Sequence, residues 1–512
     1  MNENKTIFRN PIFNIAVISG CIITTVLLAF DNEPLYSSVA LLPLFYMIVY
    51  MFSLIITPRA AYHNMGYILY FGQSIIKCVI APLFLYIGNY TSLFGSLNSD
   101  YIFKGVLLLI YEHIVCTIVI GLSYKRTKVV FNTQIKTTAP KFNPSTLVLL
   151  MSVFMVMIWV AVPTIQNNFV TVFDMFSSQE MFLGYDYTST NAVGTINRIL
   201  TTLFLVLFKS CRIILPFYII KTLKEKYDSF GSFLFSIMIV MLQFLFISET
   251  VAMALVVAFI LLSYMLKAYP QYRRLVIIIM SISFAFAVFV LSLNFDYMAK
   301  WYGVDNAAEY ISQILQSYVP GICNTASIFR VEKTSRITTL IDTLVSTIPF
   351  QNTLFGSVSW NNDLNTLFTT TSGLNAQIVS TIAGGWYIFG FVFAPVFSAI
   401  FVRVSMINGY KYAETDDDLE RLLYLFMCIQ TMLGIGVYNI QTTITLWIQV
   451  GLVLWLCSKL AVKRKIAGGG GVNNLFVCPP IIRYIESAVP MLQMLLNKWH
   501  LKYKKVCGGN LA

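Results

Sequence analysis

Charge is scarce in this sequence. Only 11% of its 512 residues are Asp, Glu, Lys or Arg, against about a quarter in soluble domains. Histidine is nearly missing: His63, His113 and His500 are dispersed along the chain. The nine cysteines never form a CxxC. These shortages exclude a water-soluble enzyme, a disulfide scaffold and a Cys/His metal cluster. No disulfide and no metal site is expected; only Cys323 falls in an outer segment, without an outer partner.

What fills the chain instead is apolar. Hydrophobic residues make up 57% and the mean hydropathy is +0.73, which also excludes a disordered chain or a fibrous repeat. A membrane span needs about 20 mostly apolar residues. About twelve such runs are present, at roughly 12–30, 37–57, 67–88, 103–123, 146–163, 197–220, 231–248, 250–266, 275–295, 380–402, 419–437 and 441–462. Spanning segments must satisfy their own backbone hydrogen bonds, so these are helices. Unbroken apolar runs exclude a barrel, whose strands alternate. The expected fold is an all-α polytopic membrane protein whose first span is retained rather than cleaved.

The net charge is +12. In a soluble protein that would point to nucleic acid; here it orients the chain, since Lys and Arg accumulate on the cytoplasmic side. With an even number of spans both termini share one side. That side collects the great majority of the 35 Lys and Arg, so both termini are expected to be cytoplasmic. The outer segments hold Lys104, Arg198, Lys300, Arg330, Lys333 and Arg336 and are net acidic.

Four regions follow. Residues 1–295 hold spans one to nine, with a medium outer loop at 165–197. Residues 296–379 form a large outer subdomain, 380–462 hold the last three spans, and 463–512 form a basic cytoplasmic tail suited to an anionic leaflet. In the large loop, Ala307 to Phe329 has helical spacing interrupted by Pro320-Gly321, and Arg336 to Ile348 reads as an amphipathic helix ended by Pro349. The outer loops are rich in Asn, Thr, Ser and aromatics, as in Phe182-Leu183-Gly184-Tyr185-Asp186-Tyr187. That composition suits sugars as well as it suits an interfacial aromatic belt.

Charges inside spans are costly and mark functional candidates. Lys77 and Glu112, in spans three and four, are expected to pair; the alternative is a proton relay that includes His113. Lys209 and Arg212 are three apart and share a face of span six with Arg198. Such a face would hold an anionic headgroup, with Glu249 the nearest carboxylate. Arg330, Lys333 and Arg336 follow helical spacing and can form one basic face.

Two stretches add a likeness. Ser380-Thr-Ile-Ala-Gly-Gly-Trp-Tyr-Ile-Phe-Gly-Phe391 and Tyr318-Val-Pro-Gly-Ile-Cys-Asn324, set in this loop architecture, resemble the bacterial O-antigen and capsular polysaccharide polymerases. Members of that family often carry an acidic residue in the small-residue motif, where this chain has Gly384 and Gly385. The resemblance implies a metal-independent, cofactor-free glycosyltransferase of the inner membrane. It would join polyprenyl-diphosphate-linked oligosaccharides on the outer (periplasmic) side, with a chain-length regulator as a protein partner. Developing diphosphate charge calls for cations, and Arg binds phosphate bidentately. Arg198, Lys209, Arg212, Arg330, Lys333 and Arg336 are the candidates. Glu249, Asp305 or Glu309 would take the acceptor proton, and Asn324 and Trp386 would contact sugar. A lipid-linked oligosaccharide flippase and a lipid-glycan ligase are the alternatives. The long outer loop disfavours the first, and the second differs only in its acceptor.

Overall fold

A computed structural model describes residues 11–30, 37–57, 64–88, 97–130, 136–137, 144–162, 165, 195–244, 251–282, 306–317, 319, 321–331, 336–350, 364, 367–368, 378–415, 417–437, 439–461 and 464–465. The chain divides into two units, residues 1–133 with 137–464 and residues 134–136 with 465–512. All described helices belong to the first. Apart from the two-residue strands Lys136–Thr137 and Arg464–Lys465, every described element is helical.

The helices are α1 (Pro11–Ala29), α2 (Leu41–Ile56), α3 (Met65–Ile75), α4 (Ala81–Gly88), α5 (Ser99–Val130), α6 (Pro144–Ala161), α7 (Thr195–Tyr227), α8 (Phe230–Met241) and α9 (Val251–Ala268). Then come α10 (Ala307–Ser317), α11 (Ile322–Ser327), α12 (Arg336–Val345), α13 (Thr381–Phe389), α14 (Val396–Glu414), α15 (Asp418–Gly436), α16 (Ile440–Leu446) and α17 (Leu452–Ala461). A π turn, Ile76–Ile80, joins α3 to α4, and a second, Trp447–Gly451, joins α16 to α17.

Seven described stretches are long and apolar enough to cross a membrane: Pro11–Ala29, Ser37–Ile55, Met65–Gly88, Ser99–Ser123, Ile199–Tyr227, Asp418–Gly436 and Ile440–Lys459. The chain is a multi-pass α-helical membrane protein. Three more of the expected spans are shorter apolar helices: Val148–Ala161, Phe230–Met241 and Val256–Ala268. Lipid explains the surface. On α6, Leu149, Leu150, Val153, Val156, Met157 and Val160 are all exposed, a face suited to the hydrocarbon of a bilayer. Burial runs from rim to centre: α1 is 17% buried and α15 is 83% buried.

The run expected to span from 380 to 402 is not one helix. It breaks at Gly390 (φ +79°) and resumes at Val396. The loop helices appear where the apolar spacing placed them. α10 packs on α4 and α11 on α5. Both contacts use small residues: a Cβ on Gly88 would lie 2.9 Å from the Ala308 carbonyl oxygen, and one on Gly105 3.2 Å from Ala326. Small residues let helix backbones approach this closely.

Candidate functional site

Helix α13 gathers most of the described candidate residues. Ser380 caps it, its hydroxyl accepting from the Ala383 N–H. The N–H of Gly390 closes it on the Trp386 carbonyl at 2.8 Å. The chain then turns back through Phe391–Pro395 so tightly that a Cβ on Gly385 would lie 2.0 Å from the Ala394 carbonyl oxygen. One on Gly384 would lie 3.0 Å from Ile440 and Leu364 side-chain carbons. At 385 any side chain would run into backbone, which accounts for that glycine, whereas at 384 a side chain would press on the movable ends of Ile440 and Leu364.

Around α13 pack α11, the 3₁₀ turn Ile328–Arg330, α12 and α5. The half-buried Trp386 meets Phe329 edge-on, centroids 4.4 Å apart. Phe329 lies parallel to Tyr101 at 6.2 Å. The Lys104 ammonium sits 5.8 Å from the Tyr101 ring and 5.9 Å from Phe329, and pairs with Asp100 at 2.5 Å. Arg330 follows Phe329 in the same turn. Arg336, the first residue of α12, places a guanidinium nitrogen 3.7 Å from where a Gly390 Cβ would stand. Aromatic faces and cations thus share one neighbourhood, the combination that holds a sugar ring and an anionic group together.

Asn324 belongs to the scaffold of this neighbourhood. It is fully buried, its Nδ2 donates to the Ile378 carbonyl at 2.9 Å, and its Oδ1 accepts from the Ser380 N–H at 3.1 Å. Both ends of the amide therefore hold the start of α13. Gln316 does similar work from α10, accepting from the Cys323 N–H at 3.1 Å and donating to the Ala81 carbonyl at 3.3 Å. Cys323, assigned by sequence to an outer segment, is buried, and burial pushes its thiol up to about 12. Seven described cysteines, Cys21, Cys78, Cys116, Cys211, Cys323, Cys428 and Cys457, are free and buried.

The other candidate cations lie on α7. Lys209 donates to Gln449 Oε1, in the second π turn, at 3.1 Å. Arg212 donates through Nε to Gln243 Oε1 at 3.2 Å and through Nη2 to the Gln243 carbonyl at 2.7 Å. The two side chains share a helix face yet reach different neighbours, α7 lying between these two amides. Arg198 is in the first turn of α7. Its side chain lies outside the described residues, as do Lys333, Glu249 and Asp305. Glu309 stands in the first turn of α10, half-buried.

Arg330 and Arg336 do not lie on one continuous helix, as the expected basic face required, and Lys333 lies outside the described residues. The chain leaves helical geometry at Val331 (φ −67°, ψ 127°), so Arg330 and Arg336 belong to separate elements. The expected Lys77–Glu112 ion pair is present at 2.5 Å, deeply buried. Sequence reasoning missed Tyr101, Phe329 and Ser398. The first two had only an aromatic composition to mark them. Ser398 donates to Glu112 Oε1 across 286 positions of sequence, a relation without a local signal.

Protein-family models, curated proteins and solved structures were all compared with this chain, and none matches it.

Proposed function

We propose that the protein polymerises polyprenyl-diphosphate-linked oligosaccharide repeat units on the outer side of a bacterial inner membrane. The observation that carries this reading is the gathering of Lys104, Arg330, Arg336 and Trp386 around α13. Two further features support it. The helices of residues 307–345 pack on transmembrane helices rather than standing apart, so a lipid-anchored substrate reaches them from the bilayer. The reaction also brings two diphosphates together, one on the donor and one on the acceptor. Two sets of cations serve them: Lys104, Arg330 and Arg336 near α13, and Arg198, Lys209 and Arg212 along α7.

In the transfer, an acceptor hydroxyl attacks the anomeric carbon of the donor sugar. The bond from that carbon to the diphosphate oxygen breaks, and polyprenyl diphosphate leaves with the electron pair. The cations stabilise its growing charge, while Trp386 and Phe329 face the sugar. The hydroxyl proton passes to a carboxylate; Glu309 is the described candidate beside Glu249 and Asp305.

The test is reconstitution with one defined lipid-linked repeat unit and gel analysis of products. A ladder of lengths is expected, lost in Arg330→Ala and Arg336→Ala protein that remains folded. In cells, deletion leaves single repeat units on the surface glycan. Repeat units trapped inside would instead identify a flippase, and unattached long polymer a ligase.

A further inference from the structure

The transfer chemistry does not use the Lys77–Glu112 pair. Its surroundings differ from those of a pair that merely joins two helices. A buried ion pair is tolerated when its remaining protons and lone pairs are also satisfied. Glu112 meets that condition: Oε2 accepts from Lys77 and Oε1 from Ser398, each at 2.5 Å. Lys77 does not. Its ammonium has three donors, is 5% exposed, and spends one donor on Glu112.

The next residue repeats the pattern. His113 Nδ1 lies 2.8 Å from the Tyr70 hydroxyl, while its buried Nε2 has no hydrogen-bond partner among the described residues. In either tautomer, one ring nitrogen is left as a donor without an acceptor or an acceptor without a donor. Tyr46, whose ring lies 4.9 Å from that of His113, also has a buried hydroxyl without a described partner. Unpaired groups of this kind are rare in folded proteins, and clustered ones mark the place of internal water. Lys77 also sits in a π turn, an irregularity concentrated at functional sites.

We infer that Lys77, Glu112 and Ser398 form a hydrated proton-binding site within the membrane, with His113 as a further water ligand. The titratable groups that interact with the pair are Tyr70 on α3, Cys78 in the π turn and Cys116 on α5. One layer further out are Tyr46 and Tyr50 of α2, Tyr67 of α3 and Cys21 of α1, which adjoin Cys78 or His113 directly or through Tyr46. Of all these residue types, only Lys and Glu are ordinarily charged near neutral pH. A proton delivered by water forms an O–H bond on Glu112, and the water that gave it up loses one. The pair passes from zero net charge to plus one, with Lys77 still an ammonium, and release reverses the step. The pair can thus take up and release one proton without leaving its place in the bundle.

The test is independent of the glycan reading, because no substrate is present. The full chain is purified into lipid nanodiscs, and infrared difference spectra are taken in H₂O and D₂O as pH is stepped from mildly acidic to mildly alkaline. A protonated-carboxyl band that grows toward acid, shifts in D₂O and disappears in Glu112→Gln is expected. Where that variant fails to fold, the paired change Lys77→Met with Glu112→Gln removes both charges at similar volume and carries the comparison. A wild-type spectrum without such a band, or a band that persists in the paired variant, overturns the inference. The pair is then a fixed structural bridge.

Discussion

Gly385 and Ala394 approach so closely that a β-carbon on the glycine would stand 2.0 Å from the alanine carbonyl oxygen. This contact sets the turn that carries the chain from α13 into α14, and with it the position of Trp386. Gly385→Ala is expected to cost about 1–3 kcal/mol by overpacking. Thermal unfolding in detergent measures it. Gly72→Ala is the control, since nothing lies within 4 Å of its Cβ position, and it is expected to match or exceed wild-type stability.

Asn324 joins the 322–327 helix to the start of α13 through two backbone hydrogen bonds. Asn324→Ala removes both partners and leaves a buried N–H and a buried carbonyl unpaired. A loss of about 1–3 kcal/mol for each is expected. Asn324→Asp keeps the acceptor for Ser380 and loses the donor to Ile378. Its melting temperature should fall between those of the wild type and the alanine variant.

Cys323 offers a probe of whether this layer is packed. Its thiol is buried and pushed up from 9.0 to about 12, so almost no reactive thiolate exists at neutral pH. A water-soluble maleimide should leave it unmodified in native protein and label it after unfolding. The sign of the linkage follows from proton counts. Above about pH 9 the unfolded chain loses this proton and the folded one keeps it, so its contribution to stability declines as pH rises from about 9 toward about 12.

Arg336 reaches Gly390 at the end of α13, and Arg330 adjoins Phe329. Arg336→Lys keeps the charge and loses the planar fork. In the polymerase assay it should lose most of its rate while Arg336→Ala loses more, with unfolding temperatures within a few degrees of wild type. Equal rates for wild type, lysine and alanine would remove Arg336 from the diphosphate site.

Sequence periodicity located the elements better than their contacts. Runs such as Pro11–Ala29 and Ser99–Ser123 were legible because about 20 apolar residues have few other uses. The break at Gly390 was not, because an apolar run containing Gly and Pro is also tolerated within a span. The amphipathic spacing of Arg336 to Ile348 gave a helix, yet the same spacing extended to Arg330, read as one basic face, does not correspond to one continuous helix. Val331 is extended, and one non-helical residue cancels the register on which such a face depends. Lys209 and Arg212 show a different limit. Their shared helix face was readable, but the amides they reach, Gln449 and Gln243, come from distant segments. The same holds for Ser398 on Glu112.

The gradient of burial has a consequence for biogenesis. Helix α15 is the most enclosed of the seven candidate spans and also the least apolar, with Gln430 and Thr431 buried along it. Lipid alone gives such a segment a weak reason to leave water, so its neighbours supply the remainder. α3, α14 and α16 all contact it, and α16 is synthesised after it. Insertion of α15 is therefore completed by assembly rather than by the translocon alone. A chain released just beyond Gly436 should leave this segment accessible to protease, while one extended through Ala461 protects it.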